Sequence, residues 1–439
     1  MARTAPAPIA TWSNWSGNQQ VRPVRVAKPT STDEMSALLQ DAAATGHRVK
    51  PVGSGHSFTA VAVADDIQID TSGLSRIVSV DRAARLVTTQ AGARLHTLND
   101  VLSGHGLALP NLGDVDVQTV AGAISTGTHG TGATVGCLST FVERLTLVTA
   151  AGEVLHCAAD RHPDVFAAAR VGLGALGVIT EVTLRCVDAF VLRAHETPVL
   201  LADVLAGVDD LIAGNDHFEF FWYPYTGRGQ AKTSNRVPLD DAPLPRFRAW
   251  LDDEFLSNTV YGGLCRLGRA VPALVPSVHE VAARGLTERT YTARSDRVFC
   301  TTRRVRFTEM EYAVPRAALP EALAALERIL AALPFRVQFP VEVRFTAADD
   351  IWLSHGYGRD SAYLALHQFQ GAPYEPYFRA FERVATALGG RPHWGKLHYR
   401  DAESLRAAYP RFDDFRAVRD RLDPGRVMQN AYTRQVLGA

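Results

Sequence analysis

The chain of 439 residues has few cysteines, no excess of positive or negative charge and no long apolar runs. Its five cysteines are scattered without Cys-x-x-Cys spacing, which is typical of free thiols in a reducing compartment. Lysine plus arginine equals aspartate plus glutamate at 46 each, so the basic excess of a nucleic-acid-binding protein is missing. These absences argue against a disulfide framework, a cysteine metal site and a nucleic-acid partner.

No window of about eighteen residues is apolar throughout, so we expect no membrane span. The residues after Met1 lack the apolar stretch of a secretory signal, and we therefore expect a cytoplasmic protein. The length exceeds that of one ordinary domain. We expect an N-terminal lead-in over residues 1–20, one domain over residues 21–188 and a second domain over residues 189–439, because the composition changes after Asp188.

The first half alternates short strand-like runs with few helices, which predicts an α+β fold rather than regular βαβ units. Ser31 or Thr32 caps a predicted helix that ends at Gly46. In the second half, residues 303–314 and 337–345 predict strands, and residues 319–333 predict an amphipathic helix between them. A loop is expected at residues 237–245 and a helix-rich middle at residues 246–284.

The segment from Gly172 to Gly177 fits the dinucleotide fingerprint G-x-G-x-x-G, but its context is wrong. That fingerprint follows a strand and opens a helix, whereas here the predicted helix precedes the glycines and the strand follows them. No acidic residue lies about twenty positions further on. The segment therefore does not predict a Rossmann site.

Two glycine-rich segments carry a stronger signal. In residues 52–58 two glycines bracket Ser54 directly after a strand and before His56, so backbone amides can approach a phosphate or a ring edge. Residues 122–132 are rich in glycine and hydroxyl groups and lack charge, a pattern that suits a pyrophosphate. The alternatives are a polar turn for the first segment and a mobile surface loop for the second.

Two later segments place polar groups at regular positions. Alternation along residues 337–345 puts apolar side chains on one face and Glu342 beside Arg344 on the other, either in a site or as a surface ion pair. In residues 392–400 strand alternation predicts Lys396 and His398 on one face. His393 and His398 are then on opposite faces, so we predict no metal site.

These segments together resemble the sugar-1,4-lactone oxidases. The motifs are residues 52–58, residues 113–132 and His393-Trp-Gly-Lys396, in the order and spacing of that family. Its members are FAD enzymes of the vanillyl-alcohol-oxidase superfamily, including L-gulono-1,4-lactone and D-arabinono-1,4-lactone oxidases, with alditol oxidases as relatives. The resemblance extends from about residue 21 to residue 436.

The resemblance implies an α+β fold with a two-subdomain FAD-binding domain of the PCMH type. It also implies a substrate domain with an antiparallel sheet backed by helices, and a C-terminal segment that returns to the cofactor. FAD is the implied cofactor. His56 matches the histidine that many members attach covalently to the flavin.

The resemblance also implies the site residues. Those expected to bind the cofactor are Val52, Gly53, Ser54, Gly55, His56, Ser57, Asp114, Thr119, Gly122, Ser125, Gly127, His129, Gly130, Ile179, Lys396 and Asn430. Those that it implies for catalysis are Glu342, Arg344 and Lys396, and the reach and pKa range of an imidazole add His398 and His367. Lys396 would supply positive charge near the flavin, and Arg344 would hydrogen-bond the hydroxyl that is oxidised. His398 and His367 are alternative proton acceptors.

The resemblance therefore implies an enzyme that moves a hydride from an aldono-1,4-lactone to flavin N5. Oxygen or another acceptor would reoxidise the flavin. An alditol or another sugar-like alcohol is the alternative substrate. The third possibility is a flavin-binding protein without turnover.

Overall fold

The computed structural model describes residues 10–238 and 261–439. Its strands are β1 (Trp12–Ser13), β2 (Gln20–Val21), β3 (Arg25–Ala27), β4 (Val49–Val52), β5 (Ile67–Asp70), β6 (Ile77–Asp81), β7 (Leu86–Gln90), β8 (Leu107–Ala108), β9 (Val142–Val148), β10 (Val154–Ala158), β11 (Val178–Arg185), β12 (Val187–Asp188), β13 (Val191–Leu200), β14 (His217–Trp222), β15 (Arg228–Val237), β16 (Arg289–Arg294), β17 (Phe307–Pro315), β18 (Val341–Thr346), β19 (Ser361–Phe369) and β20 (Arg391–Pro392). Its helices are α1 (Thr32–Thr45), α2 (Leu95–Gly104), α3 (Val120–Ser125), α4 (Pro163–Ala169), α5 (Leu201–Ala206), α6 (Val208–Ala213), α7 (Tyr261–Ala270), α8 (Val275–Gly285), α9 (Ser295–Phe299), α10 (Leu319–Ala332), α11 (Glu375–Ala387), α12 (Ala402–Ala408), α13 (Phe412–Leu422) and α14 (Ala431–Leu437).

Two small sheets build the first half of the chain. One is parallel, in the order β3-β5-β4, and the other is antiparallel, in the order β10-β9-β11-β7-β6. Helix α1 packs between them, because Met35 and Leu39 contact a core that holds Ile69 of the first sheet and Val148 of the second. The α+β class predicted from the sequence is confirmed.

Helix α1 begins and ends where its sequence predicts. The Ser31 side chain accepts a hydrogen bond from the Glu34 amide at 3.1 Å, which satisfies one of the free amides of the first turn. Gly46 ends the helix with φ +73°, a left-handed conformation that costs glycine little.

The second half is organised by an eight-stranded sheet, in the order β16-β13-β15-β14-β18-β19-β17-β20. Its two faces differ. Alternate residues such as Val341 and Val343 point into a core that helices α10 and α11 complete with Leu323 and Phe378. Residues between them in sequence, such as Glu342, lie on the opposite face, which borders a cavity.

The C-terminal helices pack on the first half of the chain. Leu405 of α12, Phe415 of α13 and Val436 of α14 share one core with Leu98 and Leu145. The C-terminal segment thus lies against the first half of the chain, and its expected return to the cofactor stays a prediction.

Three predicted elements differ from the structure. The strand expected at residues 337–345 begins only at Val341, because Pro340 has no amide hydrogen for a ladder. The strand expected at residues 303–314 begins only at Phe307. Residues 392–400 are not a strand: β20 ends at Pro392, and a turn follows in which the Lys396 amide donates to the His393 carbonyl at 2.9 Å. Residues 239–260, which include most of the expected loop and the start of the helix-rich middle, lie outside the described part.

The five cysteines are free thiols, four of them buried and Cys300 half-buried. This confirms their predicted use as small core residues. Within residues 10–238 and 261–439, no helix combines the length and the apolar character needed to span a bilayer.

Lys50 joins three distant parts of the chain. Its ammonium, on β4, donates to the carbonyls of Leu173 at 3.3 Å, Gly174 at 2.9 Å and Met428 at 3.1 Å. Burial lowers the pKa of Lys50 to about 7, although the Asp423 carboxylate opposes the shift. The side chain thus holds the glycine segment and the C-terminal segment against β4.

We expect Lys50→Met to lower the melting temperature, because it leaves buried carbonyls without their donor, at roughly 1–3 kcal/mol each. The difference from the parent should depend on pH. Between pH 7 and the ordinary lysine value of 10.5 the unfolded chain binds more protons at this position than the folded chain does. Parental stability should therefore rise relative to the variant over that window.

Thermal melts of both proteins from pH 6 to pH 10 measure this difference. Equal melting temperatures at every pH would show that Lys50 does not hold these segments.

Candidate active site

Two adjoining cavities form the candidate site, one within the first half of the chain and one between that half and the eight-stranded sheet. The first, the glycine cavity, is lined by the loop after β4, by the start of α3 and by residues 172–179. The second, the sheet cavity, has a volume of about 700 Å³ and lies on the polar face of the large sheet. His56, Ser57, Gln118 and Thr126 line both cavities, so the two spaces meet at His56.

The loop after β4 is shaped by its glycines and its serine. Gly55 has φ +68°, and a β-carbon there would lie 3.3 Å from the Trp12 ring, so a larger residue would be strained and crowded. The Ser54 hydroxyl donates to the Val117 carbonyl, which ties the loop to the second glycine-rich segment. The Thr119 side chain accepts from the Gly122 amide at 3.2 Å and caps α3.

The glycine cavity fits the diphosphate group of FAD. None of the described residues that line it carries a carboxylate, and its polar lining consists of backbone, hydroxyl and amide groups with Lys50 and His56. Backbone amides and hydroxyls that converge in this way suit an anion.

The structure brings most of the expected cofactor residues to this cavity. Those that line it are Gly53, Ser54, Gly55, His56, Ser57, Thr119, Gly122, Ser125 and Ile179. Val52 lies at the end of β4, beneath the loop. Asn430 does not line the cavity; its amide donates to the carbonyls of Ala60 at 2.8 Å and Val63 at 2.9 Å and so supports the turn beside it.

Five other expected cofactor residues lie elsewhere. Gly127 packs against the His355 ring and Gly130 against Asn111, outside both cavities. His129 and Lys396 line the sheet cavity. Asp114 also belongs there, because it binds Arg344 and Arg303. Its expected contact with the cofactor stays a prediction.

Two parts of the site were missed in the sequence. The glycines at positions 172, 174 and 177 line the glycine cavity although they form no Rossmann turn, since α4 precedes them and β11 follows. The N-terminal lead-in is the other part. Its hairpin of β1 and β2 packs on the His56 loop, where Asn14 donates to the Ser57 carbonyl at 2.9 Å.

Trp15 of this hairpin stacks on His56, with 5.3 Å between ring centroids and 20° between planes. Burial, followed by the positive charges of Lys396 and Arg94, lowers the pKa of His56 to about 4. The imidazole is therefore neutral at physiological pH and has a fixed ring plane. Trp12 and Trp15, which stand close together in an otherwise polar N-terminal segment, were the signal in the sequence that could have indicated a contact with the site.

The centre of the sheet cavity is Arg344. Its Nε lies 2.8 Å from Glu219 and its Nη2 lies 2.5 Å from Glu342, and Nη2 also binds Asp114. Burial, with the nearby carboxylate of Glu219, raises the pKa of Glu342 well above its ordinary value. Lys232 lies 3.3 Å from Glu219 on the neighbouring strand. The Glu342–Arg344 pair is thus a buried network rather than a surface ion pair.

Lys396 and His367 share a carboxylate. Lys396 binds Glu309 of β17, and His367 Nε2 of β19 lies 3.4 Å from the same side chain. Burial alone would raise the pKa of Glu309, but the charges of Lys396 and His367 lower it to about 2. Glu309 was missed, although it alternates with apolar residues in β17 as Glu342 does in β18. That alternation was the available signal.

His398 is not brought to the cavity. Its Nε2 lies 2.7 Å from the Tyr432 hydroxyl, and the ring packs beside Trp394. Burial and the charge of Arg400 lower its pKa to about 3. The predicted shared face of Lys396 and His398 is wrong, because the turn after β20 replaces the expected strand.

Within the described part of the chain, two groups of side chains have ligand atoms close enough for a metal ion, namely His129 with Glu311 and His393, and Asp114 with Glu219 and Glu342. The guanidinium of Arg344 already binds all members of the second group. In the first group His129 Nε2 lies 3.1 Å from Glu311, and His393 Nδ1 accepts from the Gly395 amide at 3.0 Å. Both groups are therefore held by the chain's own polar contacts.

Comparison with known families identifies both halves of the chain. Residues 23–158 match the FAD binding domain family, and residues 182–436 match the D-arabinono-1,4-lactone oxidase family.

Curated relatives match over almost the whole length. An L-gulono-1,4-lactone dehydrogenase of Mycobacterium tuberculosis is 45% identical and covers 97% of this chain and 99% of the relative. An L-gulonolactone oxidase of Bos taurus is 35% identical, with 97% and 98% covered. An alditol oxidase of a Streptomyces species is 32% identical, with 97% and 98% covered.

A solved cholesterol oxidase of Brevibacterium sterolicum superposes with a TM-score of 0.83 at 20% identity, covering 97% of this chain and 96% of that one. At this identity the likeness concerns the fold alone. It supports the predicted arrangement of a PCMH-type FAD-binding domain with a second, sheet-containing domain.

Proposed function

Because the chain belongs to the D-arabinono-1,4-lactone oxidase family of FAD-dependent oxidoreductases, we propose that it oxidises a hydroxyl-bearing carbon of an aldono-1,4-lactone. FAD, when bound, supplies the two-electron acceptor at its N5 atom. The observation that carries the proposal is the meeting of the two cavities at His56, with Arg344, His367 and Lys396 on the wall of the second.

Arg344 orients the substrate in this proposal. Its Nε and Nη2 are occupied by carboxylates, so we assign Nη1 to an oxygen of the substrate. The carboxylates fix the plane of the guanidinium before substrate arrives, and a fixed donor needs no reorganisation during the reaction. Glu342 lines the same wall and can accept a hydrogen bond from a substrate hydroxyl.

His367 is the proton acceptor that we propose, rather than His398. It lines the sheet cavity, whereas His398 is turned into the core toward Tyr432. Glu309 remains ionised at neutral pH, so it stabilises the imidazolium that forms when His367 takes the hydroxyl proton. Lys396 binds the same carboxylate and adds positive charge to this wall, which favours an anionic reduced cofactor.

Phe58 contributes to the placement of Lys396. The ammonium lies 5.2 Å from the centre of the Phe58 ring, and Phe58 follows the His56 loop directly. A cation at this distance from an aromatic face is attracted by it. The loop that lines the glycine cavity thus also positions the cation of the sheet cavity.

We also propose a cytoplasmic location, which the free thiols support. Oxygen or another acceptor reoxidises the flavin. Neither nucleic acid nor a metal ion takes part in the proposed reaction.

The proposed function predicts that an aldono-1,4-lactone bleaches the visible flavin band of the purified protein under anaerobic conditions. Stopped-flow absorbance with L-gulono-1,4-lactone, D-arabinono-1,4-lactone and a set of alditols measures the rate of reduction. We expect faster reduction by a lactone than by any alditol. Faster reduction by an alditol would show that alditols, rather than lactones, are the substrate class. A visible flavin band that no compound changes would indicate a flavin-binding protein without turnover.

The neutral, stacked imidazole of His56 leads us to propose that FAD is attached covalently there. Acid-precipitated protein should then remain yellow, and a peptide containing His56 should carry the mass of the cofactor. His56→Ala should release all its flavin into the acid supernatant and keep its melting temperature. Trp15→Ala should lower the attached fraction, because the ring plane of His56 is no longer fixed.

His156→Ala, on the exposed side of β10, is the matched control and should retain the parental fraction. Complete release of flavin from the parent would disprove the attachment and leave reversible FAD binding.

A further inference from the structure

The sheet cavity extends well beyond the reaction groups. Its wall includes residues from seven neighbouring strands, in the order β17, β19, β18, β14, β15, β13 and β16. Glu309 lies on the first of these strands, Gln230 on β15, Glu196 on β13 and Arg289 on the last. The reaction groups occupy only the first three strands.

The length of this wall can be compared with the substrate. Six strand spacings of about 4.8 Å span roughly 29 Å. A six-carbon chain with bonds of about 1.5 Å spans at most about 8 Å. A lactone bound at Arg344 therefore covers about two strand spacings. The part of the cavity over β15, β13 and β16 is left free for another chemical group.

The far part of the wall carries polar groups on the same face as Arg344. Glu196 pairs directly with Arg289 across β13 and β16 and with Lys232 across β13 and β15. Lys232 in turn pairs with Glu219, and Glu219 contacts Arg344. Charges thus alternate in a row from Arg289 to Arg344, so every cation of the row has a carboxylate beside it and the row presents no block of like charge to an ionic ligand.

Hydrogen-bonding groups and ring faces stand beside this row. Gln230 on β15 is the cross-strand partner of Phe221 on β14. The side-chain amide of Gln230 can both donate and accept hydrogen bonds. The Tyr291 hydroxyl donates to Glu196 at 3.3 Å and fixes that carboxylate. Leu264 of α7 and Ala282 of α8 close the opposite side. A ring face beside fixed hydrogen-bonding groups suits an uncharged hydroxylated ring.

We propose that the region around Glu196, Gln230 and Phe221 is a second subsite, which binds a glycosyl group attached to the substrate at the end away from the oxidised carbon. The subsite rests on the proposed function, because that function sets Arg344 as the reacting end. Glu196 and Gln230 would bind hydroxyls of the second ring, and Phe221 would contact its apolar face.

The probe for this subsite is L-gulono-1,4-lactone that carries a glucosyl group on the O6 oxygen. With the parent we expect a KM at least threefold lower for this compound than for the plain lactone. Glu196→Gln and Gln230→Ala should remove that difference and leave the KM of the plain lactone unchanged. His195→Gln, on the opposite face of β13, is the matched control and should preserve the difference.

A binding measurement separates failure of the subsite from failure of the proposed function. Calorimetric titration of the holoenzyme with the glucosylated lactone, without turnover, should give weaker binding for Gln230→Ala than for the parent. This result would support the subsite even if neither compound reduced the flavin. Equal binding to both proteins, or a parental KM for the glucosylated compound no lower than that for the plain lactone, would overturn the subsite.

Discussion

The guanidinium of Arg344 and the carboxylates around it are the constraint on which the rest of the site depends. Asp114 comes from the first half of the chain, and Glu219 and Glu342 come from the large sheet. A buried charge is tolerated only when it is paired and hydrogen-bonded, and removal of one partner typically costs about 3–5 kcal/mol. The two halves must therefore meet in one arrangement, and that arrangement also brings the two cavities together at His56.

Side chains alternate between the two faces of the large sheet, so that one face stabilises the fold and the other carries the reaction groups. One face carries Val341, Val343 and other apolar residues into a core closed by helices α10 and α11. The other face carries Glu309, His367 and Arg344 into the cavity. Because neighbouring strands stand in register, the polar residues form rows across the sheet, and the reaction groups are continuous with the proposed second subsite.

Local signals in the sequence were sufficient for much of the fold and part of the site. The cap at Ser31, the glycine at 46 and the alternation around Glu342 each indicate one element through its immediate neighbours. The predicted position of His398 was wrong because Gly395 and its neighbours form a turn, which strand alternation in the sequence does not reveal. Asp114, Glu219 and Trp15 acquire their roles through partners between 41 and 230 positions away in sequence, and no local pattern specifies such partners.

The rate of flavin reduction in Arg344→Lys tests the central claim most directly. Lysine keeps the charge but cannot bind three carboxylates in one plane, so the donor to the substrate loses its fixed position. Anaerobic stopped-flow with an aldono-1,4-lactone should show a loss of at least about 10²-fold in the reduction rate, or about 2.7 kcal/mol, with flavin still bound. Reduction at the parental rate would contradict the account, because the wall of the sheet cavity would then have no part in the reaction.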